Sequence, residues 1–169
     1  MGSGYRIARS VIFALMAIAT LALTLSVKEF GIYFGIVLMI GAATTILYLF
    51  LHFDEHVDQK VIIELAADIF AGIIVFTYPV PDDRFFMLDF AFWIAIMGMI
   101  HLATGIFDKS KVKYFWLFTL SGIMLMVFGF LIVNYSTDYL GSVAYLIGIV
   151  LLYYSVLNLY LIKNNAILK

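Results

Sequence analysis

Glu64 and Asp68 stand four residues apart inside an otherwise apolar run, Val61-Ile62-Ile63-Glu64-Leu65-Ala66-Ala67-Asp68-Ile69-Phe70. That spacing places both carboxylates on one face of a helix. Asp89 and His101 lie in a second such run, between Phe85 and Phe107. Ionisable groups in apolar runs are costly to keep out of water, so each is a candidate for proton or ion chemistry. Asp68 falls about 12 Å along a helix from Lys60, and His101 about 10 Å before Asp108, at ~1.5 Å of rise per residue. On antiparallel neighbours those depths coincide, so Asp68 and His101 could touch. A carboxylate beside an imidazole in a low-dielectric setting is a tunable proton site. With Glu64 nearer the helix start, the three could form a short proton or cation path. The plainer reading is that Asp68 and His101 satisfy each other and fix helix register.

Two secondary candidates accompany them. Arg9, near the start of the first apolar run, is expected to bridge to Glu64. Asp89, a turn or so after Arg84, reads as an interfacial carboxylate reaching water, and alternatively as a stop along a path from the outer side. His52 and His56 are four apart and could chelate one ion with a nearby carboxylate. They lack the surroundings of a catalytic site, however, since His-Glu-x-x-His is absent. An acidic, solvated turn is the plainer reading of His52-Phe53-Asp54-Glu55-His56-Val57-Asp58. No nucleophile–base–orienter set, phosphate loop or dinucleotide fingerprint is present in the sequence. The absence of Cys removes disulfides, thiolate catalysis and Cys-ligated metals. The expectation is a protein that is not an enzyme and carries no cofactor.

The elements that must position these groups are set by composition. Hydrophobic residues make up 65% of the 169 and charged residues 12%, against about 45–50% and about 25% in soluble domains. A chain this short could not hide so much apolar surface in one core. Spanning a bilayer takes roughly 20 helical residues, and six stretches qualify: 7–27, 31–51, 61–79, 85–107, 114–134 and 140–162. Backbone groups in lipid must be paired within their own segment, which favours helices. The fold class expected is therefore an all-α membrane protein of six transmembrane helices in three hairpins. It forms a single integral membrane domain over residues 1–169, with no gap long enough for a soluble domain. The 61–79 stretch is the least apolar, because of Glu64 and Asp68. Met1-Gly2-Ser3-Gly4 reads as foreign to the fold, and the first span as an uncleaved anchor.

The basic residues give an orientation. Arg6, Arg9, Lys60, Lys109, Lys111, Lys113, Lys163 and Lys169 fall at the termini and in the even gaps, and only Lys28 and Arg84 in the odd ones. Cytoplasmic loops carry the excess of Lys and Arg, so both termini are expected in the cytoplasm. Pro79 and Pro81 sit in an outer gap, where they end a helix without stranding a donor in lipid. The expected partners are the lipid bilayer and either a second copy or another membrane protein. With a net charge of -1, no basic field exists for nucleic acid.

Small residues recur across the three hairpins, at Ala19, Gly72 and Gly129 in the first helices and at Gly41, Gly98 and Gly148 in the second. They let helix backbones approach closely. The run from Val61 through Gly72 to Pro79 is an apolar helix with a central Gly and an outer Pro. It is followed by Phe92-Trp93-Ile94-Ala95-Ile96-Met97-Gly98-Met99-Ile100-His101-Leu102 and the basic exit Lys109-Ser110-Lys111. Together these resemble the repeat unit of the HdeD-like acid-resistance membrane protein family. In the third hairpin Ser121-Gly122 and Gly129 fit, with Asn134-Tyr135-Ser136 in place of the Pro. The first hairpin lacks both the first Gly and the Pro. The resemblance implies six helices in the bacterial inner membrane and an association with acid stress, as a structural or stress-protective component. It supplies no catalytic residues. A small proton- or ion-coupled transporter or channel using Asp68 and His101 is the alternative.

Overall fold

The computed structural model describes residues 3–23, 26–51, 59–77, 83–110, 112–135 and 140–164. Six α-helices account for nearly all of them: α1 Ser3–Leu23, α2 Val27–Leu51, α3 Gln59–Thr77, α4 Asp83–Phe107, α5 Phe115–Val133 and α6 Leu140–Lys163. There is no β-sheet among the described residues. Five of the six are long and apolar enough to cross a membrane. The sixth, α3, has 19 residues and carries Lys60, Glu64 and Asp68 along them.

Several boundaries differ from those expected. α1 takes in Ser3 and Gly4 and ends at Leu23, short of residue 27. α2 begins at Val27, so Lys28 lies in its first turn instead of in a gap. The cause is a reciprocal cap. The Glu29 amide donates to Ser26 Oγ at 3.3 Å, and the Ser26 amide and hydroxyl donate to Glu29 Oε2 at 3.0 and 2.7 Å. Two donors at the helix start are satisfied by this exchange. α5 starts at Phe115 and closes at Asn134, whose side chain donates to the Phe130 carbonyl at 2.8 Å. Pro79 and Pro81 lie outside the described residues.

The helices form a closed ring in chain order, with α1 against α6. The contacts alternate in extent. α4 with α5, α1 with α6 and α2 with α3 pack broadly, while α1 with α2, α3 with α4 and α5 with α6 touch less. α2 also reaches α4 and α6 across the centre. The broad pairs are thus not the ones expected from the hairpins at the outer gaps. Glycine explains the broadest. A Cβ on Gly122 would lie 2.6 Å from the Leu102 amide nitrogen and 2.7 Å from the Gly98 carbonyl, so the α4 and α5 backbones meet there. On the α2–α3 contact, a Cβ at Gly35 would lie 2.9 Å from Val75 Cγ1. Without a hydrophobic drive between helices in lipid, such close approach is what holds them.

The centre is filled with rings. Trp93 of α4 is fully buried and packs at 5.2 Å on Phe13 of α1, 5.2 Å on Phe34 of α2 and 5.5 Å on Tyr154 of α6. Phe30, Phe86 and Phe90 extend the cluster in edge-on contacts. Edge-on geometry is the favoured one for aromatic pairs. Leu15, Phe50, Phe107 and Phe130 are among the large apolar side chains left on the outside of the bundle, as a lipid-facing surface requires.

Candidate functional site

Arg9, six residues into α1, points its guanidinium across to α3. Its Nη1 donates to Glu64 Oε2 at 2.9 Å and its Nη2 to Asp68 Oδ1 at 2.8 Å. The expected bridge to Glu64 is present, and the same arginine also takes Asp68. The one-turn spacing of the two carboxylates lets a single planar fork reach both, using two of its five donors. Trp93 Nε1 donates to the same Asp68 Oδ1 at 2.8 Å. α1, α3 and α4 are therefore joined at one oxygen. The group is shielded from solvent: Arg9 is 5% exposed, Asp68 1% and Glu64 13%. Met97 lies beneath it, accepting through its sulfur from Arg9 Nη2 at 3.6 Å and from the Tyr154 hydroxyl at 3.4 Å. Phe13 covers the guanidinium, with its ring centre 5.4 Å from Cζ.

His101 is not part of this group. The expected Asp68–His101 contact is replaced on both sides, because Asp68 Oδ1 is taken by Arg9 and Trp93 while His101 turns toward α5. Its Nδ1 lies 2.9 Å from Ser121 Oγ. The Ser121 hydroxyl donates to the Phe118 carbonyl at 2.9 Å. The imidazole ring sits against Phe118 at 5.6 Å and Tyr154 at 6.0 Å. Tyr154 and Met97 thus stand between His101 and the Arg9 group. Depth along a helix is legible in a sequence, and azimuth is not. Asp68 meets Trp93, eight residues before His101 along α4, while His101 faces α5.

Two atoms of the Arg9 group, Arg9 Nε and Asp68 Oδ2, are buried without a hydrogen-bond partner in the protein. Asp68 Oδ2 looks toward Gly41 of α2, where a Cβ would stand 3.6 Å from it. Asp89 differs from its expectation as an interfacial group reaching water. It is 6% exposed, and neither carboxylate oxygen has a partner. Trp93 stands in an apolar run, where an indole reads as packing, and its N–H is the third contributor to the site. Outside the site, Lys60 pairs with Asp108, tying the start of α3 to the turn after α4. His52 and His56 lie outside the described residues, and among the described residues no group of three or more His, Asp or Glu could hold a metal ion.

Residues 66–134 match the family described as "Short repeat of unknown function (DUF308)". The match takes in Asp68, all of α4 and α5 through Asn134, and hence the close α4–α5 contact and Trp93. No curated protein and no solved structure matches the chain. Apolar helices of spanning length and this repeat together make it a membrane protein with a repeat region of unknown function.

Proposed function

We propose that the chain is a structural, stress-protective component of the bacterial inner membrane, of the kind the HdeD-like resemblance implies. All six helices, α3 included, cross the bilayer, with both termini in the cytoplasm. The protein is not an enzyme. The observation that carries this reading is the double engagement of Arg9. One guanidinium holds two carboxylates of α3 and shares one of them with Trp93 of α4. That arrangement lets α3 reside in lipid despite its charges, since intramembrane ionisable groups persist where they pair with one another inside a bundle. A centre packed with Trp93, Phe13 and Phe34 also favours a filled bundle over a conduit.

The alternative, a small proton- or ion-coupled transporter, draws on the spare capacity at Arg9 Nε and Asp68 Oδ2. Proteoliposomes subjected to a pH step separate the two. The structural reading expects no proton or monovalent-cation flux from the wild type, and lower thermal stability for Asp68→Asn and His101→Ala. Flux in the wild type that both variants abolish while remaining folded would replace it with the transport reading.

A further inference from the structure

Asp89 is six residues into α4, about 9 Å along the helix. Among the described residues it is the one side chain whose polar atoms are all buried and all without a hydrogen-bond partner in the protein. Its surroundings follow from its neighbours on the same helix. Phe86 and Trp93, a turn to either side, pack on Phe34 of α2 at 6.1 and 5.2 Å. Phe92 meets Phe70 of α3 at 6.0 Å. Asp89 therefore occupies the α4 face between α2 and α3.

Among the described residues that face offers no counter-charge. From Ile69 to Thr77, α3 has no ionisable residue, and the Thr77 hydroxyl donates to the Ile73 carbonyl of its own helix at 2.8 Å. α5 has none along its length. α2 carries Lys28, Glu29, Tyr33 and Tyr48. Lys28 is exposed and makes no hydrogen bond to Asp89, Glu29 is exposed and bonded to Ser26, Tyr33 is half exposed, and Tyr48 stacks on Tyr5 at 4.6 Å. Arg84, on α4 itself, is exposed and makes no hydrogen bond to Asp89.

An ionised carboxylate removed from water and given no donor is so unfavourable that the group neutralises instead. A metal cation would relieve the charge only with several further oxygen ligands, which walls of Phe, Trp and aliphatic side chains do not supply. A proton needs the carboxylate alone. We propose that Asp89 is an intramembrane proton-binding site, carrying one proton as a neutral carboxylic acid at neutral pH. The site is separate from the Arg9 group and does not depend on the structural reading above.

Infrared spectroscopy of the protein in lipid at neutral pH tests this. The expected result is a carboxylic-acid carbonyl band that is lost in Asp89→Asn. A folded protein with no such band, or a band that keeps its full intensity in Asp89→Asn, overturns the proposal. Should that variant not fold, carbodiimide labelling of the wild type decides. Apolar carbodiimides attack protonated carboxyls, so mass mapping should find an adduct on Asp89 with dicyclohexylcarbodiimide and none with a water-soluble carbodiimide. No adduct on Asp89 with either reagent, or labelling by the water-soluble one, overturns it.

Discussion

Removing Arg9 and removing the charge of Asp68 are unequal perturbations, because the arginine faces two carboxylates and Asp68 faces two donors. Arg9→Met leaves Glu64 and Asp68 one turn apart with no cation between them. Breaking a buried ion pair from one side costs about 3–5 kcal/mol, and this variant should fall in that range. Asp68→Asn keeps an oxygen for Arg9 and Trp93 and strands no charge, so its loss should be clearly smaller. Thermal unfolding of the two variants in the same detergent checks the order. A double variant, Arg9→Met with Asp68→Leu, should lose less than the sum of its single changes, since groups sharing one network do not add. Equal, additive losses would mean that the pair is not a unit. The sequence made part of this group readable. Glu64 and Asp68 share a face by spacing alone, and Arg9 matches Glu64 in depth. Trp93 was not readable as a donor, because an indole in an apolar run looks like packing until its partner is placed beside it.

At the scale of helices, close backbone contact carries the packing, and it is distributed unevenly. A Cβ at Gly122 would strike backbone atoms of Leu102 and Gly98, which cannot yield as a flexible side chain does. Gly122→Ala should therefore separate α4 from α5 and cost about 1–3 kcal/mol, the usual range for overpacking. Gly41→Ala, whose Cβ would meet only Asp68 Oδ2 at ordinary contact distance, should leave the thermal midpoint nearly unchanged. A comparable loss in both would mean that backbone contact does not set the cost, since the helix propensity of Ala over Gly favours both variants. Ser26→Ala removes the cap of α2 and should cost about 1 kcal/mol, read in the same assay. The cap was present in the sequence as Ser26-Val27-Lys28-Glu29, a Ser three residues before a Glu. Hydropathy alone passes over it and starts the helix later. The glycines were readable as packing positions, but which helix each one meets was not. Gly122 and Gly98 join helices on either side of a gap expected on the cytoplasmic side, whereas the repeat pattern suggested pairing across the outer gaps.

For the whole molecule, the ring order α1 to α6 and the burial of the Arg9 group bear on which way the chain lies in the membrane. Eight of the ten basic residues fall at the termini and even gaps. Arg9 is one of the eight, yet it is 5% exposed and bound to two carboxylates. Lys60 is another, and it is paired with Asp108. The orienting charge is carried by loop residues that can meet anionic headgroups, so counting a buried, neutralised arginine overstates the bias. Setting Arg9 and Lys60 aside still leaves Arg6, Lys109, Lys111, Lys113, Lys163 and Lys169 against Lys28 and Arg84, and the same orientation. Because the chain has no Cys, single cysteines report sidedness without background. Ser110→Cys, exposed between α4 and α5, should react with a membrane-impermeant maleimide only after the cytoplasmic face is opened. Ser26→Cys, exposed between α1 and α2, should react in intact cells. The reverse pattern would invert the topology. Labelling of both from one side would mean that the chain between Ser26 and Ser110 crosses the bilayer an even number of times. Since α2, α3 and α4 are the three helices between those positions, α3 would then lie in the bundle without spanning, held there by Arg9.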